Sequence, residues 1–379
     1  MSNKRNVTGI TVVSSKAEMK QFLNLPYSLY ANEEHWVPPL YIQQRDLLDR
    51  KKNPYFNEAE AEYFIAQRNG IIKGRVAAIV NHTWIKHNNQ QTGFFGFFEC
   101  EDDPELAELL LKVAGEWLKN KGMKKVIGPI NPGMMYEIGA LIEGHDKPNF
   151  IMMPWTKAYY DSLLSANGFE KEMDLLAYIV DKDTVALDRI EKAEKIVRYR
   201  LPDIKVRPVD MKNFKEEVTT IRKIFNAAWA TNWGFSPVSE DEFNHIAKDL
   251  KLIIDTDLAH VAEVNGEPIG FTVALPDLNL ALKNVKKGRL LPFGIFKLLL
   301  GKRKINRIRT ALMGVIPEYR GKGVDALLHR ETIIRGLKKG YIASELSWLL
   351  ETNTDMIRVA EKIGGYLDKR YRIYGKELH

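Results

Sequence analysis

The alternation of apolar and polar residues breaks at two Asn-Gly pairs, and each break reads as a β-hairpin. Glu62 to Val80 (EYFIAQRNGIIKGRVAAIV) alternates on both sides of Asn69-Gly70, and His260 to Leu275 (HVAEVNGEPIGFTVAL) does so around Asn265-Gly266. Asn-Gly supplies the positive φ that a two-residue hairpin turn needs. Downstream of each hairpin a strand gives way to a helical period. Phe94 to Glu99 leads into a helix opened by Asp103-Pro104, with Leu106, Leu109, Leu110, Val113, Trp117 and Leu118 on one face and Gly122 as its stop. Thr310 to Ile316 leads into a second helix carrying Val324, Leu327, Leu328, Ile334 and Leu337, ending before Gly340. Both halves then close with a helix, a glycine and a long strand: YYDSLLSANGFEKEMDLLAYIV and MIRVAEKIGGYLDKRYRIYGKEL.

The chain therefore repeats itself. The offset between matching glycines is 196 at the hairpins (Gly70, Gly266), 218 at the helix ends (Gly122, Gly340) and 196 again at the closing turns (Gly168, Gly364). An offset that rises and returns means that each half carries an insertion the other lacks. In the second half it spans about 277–309; in the first it is Pro129 to Pro154, rich in Gly, Pro and Met. The expected organisation is a first unit over 1–182, a linker helix over 183–201 and a second unit over 202–379. A length of 379 residues suits two such units. The expected fold class is α/β (α+β), each unit a central mixed, mostly antiparallel sheet flanked by helices.

Charge sharpens this picture by its position. Ten Lys and Arg and no Asp or Glu lie between Leu278 and Arg309, and the remaining 46 basic residues face 49 acidic ones. The basic excess is one local patch, which makes nucleic acid an unlikely partner. Within the patch the apolar run LLPFGIFKLLL is flanked by KKGR and GKRKINRIR. That composition fits an interfacial helix on an anionic membrane surface through residues 283–309, or a helical hairpin packed on the first unit. Hydrophobic residues at 45% and charged residues at 28% describe a globular chain, and no run reaches the roughly 18 apolar residues of a spanning helix. With no signal-like start, the expected location is cytoplasmic, with peripheral attachment at the inner membrane face. A single cysteine and no Cys/His cluster predict neither an internal disulfide nor a metal site.

The chemistry concentrates at Arg320-Gly321-Lys322-Gly323-Val324-Asp325, where a strand meets a helix. Glycines let successive N–H groups converge and the helix start adds positive potential, as a pyrophosphate requires. With its hairpin, strand, Gly-rich turn, helix, strand, helix and strand, this half resembles the GNAT acyltransferase superfamily over most of 203–379. The Asn353 to Gly364 stretch and Tyr371-Arg-Ile-Tyr374 are similar to its closing elements. The resemblance implies acyl-CoA, acetyl or longer-chain, as co-substrate. It places Met313, Gly314 and Val315 against the pantetheine and Arg320, Gly321, Lys322, Gly323, Val324 and Asn353 among the donor-binding residues. Two positions depart from the family. Asp325 replaces a small residue and reads as a helix cap, and Ala360 stands where many members place a tyrosine acid. The first half has no such loop: Glu99-Cys100-Glu101-Asp102-Asp103-Pro104 would repel an anion, so it reads as a degenerate copy.

Acyl transfer to an amine needs a base and a cleft for the acceptor. Glu345 and Glu351 share one parity of the strand ASELSWLLETN and are the candidate bases. Asn226, Trp229, Asn232 and Trp233 form an aromatic, amide-bearing turn suited to an acceptor wall. The expected function is transfer from acyl-CoA to a primary amine by direct attack, because Cys100 sits among acidic residues. A membrane patch would point to a lipid amine, for which bacterial ceramide synthases of this superfamily are the comparison. The alternatives are an aminoacyl-tRNA-dependent transferase of the tandem GNAT-like type and a non-catalytic acyl-CoA-binding scaffold at the membrane.

Overall fold

The computed structural model describes residues 8–379, which form two compact units. The first comprises the chain up to Asp174 together with Leu282–Leu298 and Tyr371–His379; the second comprises Leu175–Ala281 and Leu299–Arg370.

In the first unit Thr8–Val12, Ala59–Arg68, Ile71–Asn81 and Thr92–Cys100 are neighbours in antiparallel order. Lys125–Gly128 follows in parallel, and the end of the last strand, Tyr374–Glu377, closes the sheet antiparallel to it. The second unit repeats the pattern. Ile204–Pro208, Ala259–Val264, Glu267–Pro276 and Arg307–Val315 are antiparallel neighbours, Ala343–Leu350 joins in parallel, and Leu175–Asp181 closes the sheet antiparallel. Both predicted hairpins form, with Asn69-Gly70 at φ 53° and 79° and Asn265-Gly266 at φ 53° and 84°. The α/β class with mixed, mostly antiparallel sheets is what the periodicity indicates.

The helices cover the sheets as their apolar faces dictate. In the first unit Phe64, Val76, Ala78 and Phe98 pack with Leu106, Leu110 and Leu118 of the helix Pro104–Asn120. Tyr63 and Phe97, of opposite parity, meet Phe22 of the helix Lys16–Leu29 instead. That helix opens with a capping box in which Ser15 and Glu18 exchange bonds.

The unit limits differ from a cut near residue 182 in three places. Leu175–Asp181 ladders with Ala343–Leu350, so the second sheet ends on a strand from the first half of the sequence. Tyr371–His379 goes the other way: Tyr374 pairs with Gly128, and Arg372 holds Asp174 through bonds of 2.8 and 3.0 Å. The front of the insertion, Leu282–Leu298, belongs to the first unit, with Arg289 over the Tyr41 ring at 5.1 Å. The helix Leu187–Arg200, expected as a linker, is part of the second unit. Its Ile190 and Val197, two turns apart on one face, are buried. Val197 packs with Val324, Leu327 and Leu328 of the helix Val324–Lys338.

Tyr374 is 1% exposed and donates to Asp161 at 2.5 Å. Tyr374→Ala is expected to lower stability by about 3 to 5 kcal/mol in urea denaturation. A loss below about 1 kcal/mol would mean that the closing strand contributes little.

Candidate active site

The second sheet opens along one line. Arg307–Thr310 pairs in parallel with Ala343–Leu346, and past that point the two strands part. The N–H of Ile316 donates to the Ile269 carbonyl at 2.9 Å. Counting back in twos turns the main chain of Gly314 toward Phe271 and that of Met313 and Val315 toward the side where the ladder has stopped. On that side Trp229, at the end of the helix Phe214–Trp229, donates its indole N–H to the Met313 carbonyl at 3.0 Å. Two residues singled out for different substrates, Met313 and Trp229, thus meet at one edge.

The strand runs on to the glycine turn. Gly321 and Gly323 have φ of 70° and 86°, and a Cβ at Gly323 would stand 2.5 Å from Val197. Among the described residues, the N–H groups of Gly321, Gly323, Val324 and Asp325 have no partner. They stand at the positive end of the helix Val324–Lys338. Arg320 donates to the Ala228 carbonyl, tying the turn to the helix that carries Trp229. Lys322 lies 4.5 Å above the Tyr319 ring. Asp325 is not the helix cap: Gly323 holds that position without a side-chain bond. The carboxylate lies instead one turn before His329, which is buried and whose pKa burial lowers.

The other candidates fall at varied distances from this edge. Asn226 uses both ends of its amide on Val238, at 3.2 and 3.4 Å, and so shapes the loop after its helix. Asn232 and Trp233 are half-buried in that loop, where the Asn232 N–H donates to the Trp229 carbonyl at 2.8 Å. Asn353 caps the helix Thr354–Lys362 by accepting from the Met356 N–H at 3.3 Å. Ala360 is buried beside Leu346. Glu351 lies beyond its strand, in the turn before that helix.

Glu345 is different. It pairs in register with Arg309, one step before the strands part, and is fully buried. Its Oε1 accepts the Ser347 hydroxyl at 2.6 Å and faces the Arg309 Nε at 3.8 Å, while Oε2 has no partner among the described residues. Arg309 donates from Nε to the Ser347 hydroxyl at 2.9 Å and stacks 5.0 Å over Trp348. Burial pushes the Glu345 pKa up to about 7 against the pull of Arg309, Ser347 and Lys369. Ser347 and Arg309 were absent from the candidates. Shared parity with Glu345 was the signal for the serine. Arg309 was hidden because it counts, in sequence, as the end of the basic patch. Neither Arg309, 2% exposed, nor Arg307, whose Nε donates to buried Asp277 at 2.6 Å, belongs to an outer surface, so the patch ends before them.

The first unit fills the same line with its own chain. Thr92–Phe94 pairs in parallel with Lys125–Ile127, and then Ile130–Asn131 enters the gap. Asn131 Oδ1 accepts the Phe97 N–H at 2.5 Å, and a Cβ on Gly96 would lie 1.9 Å from the Ile130 carbonyl oxygen. Its acidic junction is internally satisfied. Asp103 caps the next helix by accepting the Leu106 N–H at 3.1 Å. Glu99 accepts from Tyr30 at 2.5 Å and Tyr160 at 2.6 Å. Cys100 is fully buried, and burial, more than its acidic neighbours, pushes its thiol up.

Against this geometry the relatives can be read. A protein of Caulobacter vibrioides named bacterial ceramide synthase is 36% identical over 374 residues, covering 97% of this chain and 96% of its own. The chain belongs to its family, the tandem GNAT-like N-acyltransferases. Protein YghO of Escherichia coli is 36% identical over 372 residues, covering 96% of this chain and 94% of its own. Among solved structures, a tandem GNAT protein from the clavulanic acid biosynthesis pathway has TM-score 0.58 at 12% identity, covering 98% of this chain and 99% of its own. A GCN5-related N-acetyltransferase from Sphaerobacter thermophilus has TM-score 0.54 at 11% identity, covering 98% and 96%. These structures show the shared fold. No family model matches the chain. In this acyltransferase the open second sheet and the filled first one distinguish the two copies.

Because the folded pKa of Glu345 lies above the unfolded one, the native state holds its proton more tightly between about pH 4.5 and 7. Stability from this group is present at low pH and is lost as pH rises toward neutrality. A shift from 4.5 to about 7 corresponds to roughly 3 kcal/mol. Glu345→Gln is expected to be more stable than the parent by about 1 to 3 kcal/mol at pH 8, with the gain vanishing near pH 4.5, in urea denaturation across that range. An equal difference at both pH values would refute the assignment.

Proposed function

We propose that the second unit binds acyl-CoA along the open edge and transfers its acyl group to the primary amine of a lipid. The observation that carries this reading is the continuity of two backbone features that no neighbouring strand or helix turn uses: the outward groups of Met313, whose carbonyl takes the Trp229 indole, and of Val315, then the unbonded N–H groups of Gly321, Gly323, Val324 and Asp325. A pantetheine arm needs a strand edge for its amides, and a pyrophosphate needs converging N–H groups. The ceramide synthase name of the Caulobacter relative supports a sphingoid base as the acceptor class.

In this reading Arg320, Gly321, Lys322, Gly323 and Val324 hold the phosphates, and Gly314 sets the parity of its neighbours. Trp229, Asn232 and Trp233 wall the acceptor side, with Asn226 and Asn353 holding the loop and helix around them. The amine attacks the thioester carbonyl directly, a C–N bond forms, the C–S bond breaks and CoA leaves as its thiolate. Glu345, not Glu351, takes the amine's proton through the Ser347 hydroxyl, because a carboxyl poised near neutrality is the better proton acceptor. Buried Cys100, in the other unit, has no part.

Titration of the protein with acetyl-CoA and palmitoyl-CoA tests the donor site. Gly321 has open space around its Cβ position and a positive φ that strains Asp less than most residues, so Gly321→Asp places a carboxylate in the cradle without a clash. It is expected to weaken binding at least about tenfold. No binding of either thioester to the parent protein would overturn the reading.

A second measurement separates binding from chemistry. Glu345→Gln should retain acyl-CoA affinity while turnover of a sphingoid base falls about 10² to 10⁴-fold. The rise in rate with pH near 7 should disappear with it. An unchanged pH profile would remove Glu345 from the proton path.

A further inference from the structure

The helix Gly294–Lys302 is packed inside out. A helix of a water-soluble protein buries its large apolar side chains and exposes the rest. Here the inward stripe is Gly294, Leu298 and Gly301, spaced by four and three. A Cβ on Gly294 would stand 2.1 Å from the Arg289 carbonyl oxygen, and one on Gly301 would stand 2.7 Å from the Ala281 Cβ. The glycines let the helix lie flat, and its bulk projects outward. Phe293 is 71% exposed, Phe296 62%, Leu299 55% and Leu300 66%, with Leu291 just before them at 80%. An apolar surface of this density facing water marks an interaction site.

Charge says what covers it. Lys283, Lys287, Lys297, Lys302, Arg303 and Lys304 are exposed around the patch, and among the described residues none of them is in an ion pair. No Asp or Glu occurs between Leu278 and Arg309 to give a protein partner something to match in sign. Large apolar side chains flanked in the chain by cations alone complement a surface that is apolar beneath and negative throughout its outer layer. No helix among the described residues is long and apolar enough to cross a membrane, so such a surface would be met by this helix lying on it.

We propose that this helix and the turn before it dock the protein on an anionic lipid bilayer. Phe293, Phe296, Leu299 and Leu300 enter the boundary between headgroups and acyl chains, while Lys297 and Lys302 to Lys304 meet lipid phosphates. The proposal rests on this segment alone and stands whether or not the open edge binds acyl-CoA.

Sedimentation of the full chain with vesicles tests it, using phosphatidylcholine alone and phosphatidylcholine with one third phosphatidylglycerol. Binding is expected to the anionic vesicles, to weaken with salt, and to be several-fold lower on the neutral ones. Phe293→Ser with Phe296→Ser, and separately Lys302→Glu with Arg303→Glu and Lys304→Glu, should each reduce it at least about tenfold. Every substituted side chain is exposed, so the unfolding temperature should stay unchanged. Three outcomes would overturn the proposal. One is equal vesicle binding by the serine variant. Another is a parent dimer in analytical ultracentrifugation that binds no vesicle and that the serine variant dissociates, which would make a second copy the occupant. The third is binding to the neutral vesicles as strong as to the anionic ones and unaffected by salt, which would leave the cations with no role in lipid binding.

Discussion

A β-ladder that stops while its strands continue leaves main-chain groups that something must satisfy, and the second unit is organised around that demand. Four residue pairs join Arg307–Thr310 to Ala343–Leu346, and then the neighbours separate. The groups proposed for the donor and for proton transfer stand along the separation. Glu345 is at its apex, Ser347 is just past it, Met313 and Val315 line one side, and the glycine turn lies where that side ends. The Trp229 indole on the Met313 carbonyl is the chain's own answer at one position. An incoming amide offers the same donor.

The first unit shows the alternative answer. It has the same order of strands and the same parting, but Ile130–Asn131 lies in the gap and supplies the missing acceptor from a side chain. Gly96 is there because no Cβ fits beneath the Ile130 carbonyl. One copy keeps its backbone demand open to a ligand and the other satisfies it internally. A gap filled by covalently attached chain carries no translational cost of association, so a free ligand cannot readily compete for it. The acidic residues at its helix start therefore face no anion and are free to cap the helix and hold Arg68.

Much of this was legible in the sequence because repetition and turn chemistry are local. The Asn-Gly hairpins, the glycine helix stops and the shifted offsets each depend on a few adjacent residues. Arg320 to Asp325 was legible for the same reason: its glycines act through their own φ. What stayed hidden depends on partners remote in sequence. Arg309 sits among surface lysines in the chain, yet it is buried by its ladder to Glu345, 36 positions on. Asn226 carries an amide suited to a ligand and spends it on Val238. The filling of the first gap by Ile130–Asn131 leaves no mark in periodicity, since the segment is too short to show one. The strand exchange was equally silent: FEKEMDLLAYIV reads as a strand whichever sheet receives it.

That exchange orders the birth of the molecule on the ribosome. The strand that flanks Glu345, Leu175–Asp181, emerges long before Glu345 does and waits as an edge without its neighbour. The first unit, begun before the second, is closed by Tyr374–Glu377, which follow the second unit in the chain. Folding from the N-terminus domain by domain, the usual course for a chain of two units, is barred to this one. The half that has already filled its own cleft must stay unfinished until the half that keeps its cleft open has been synthesised.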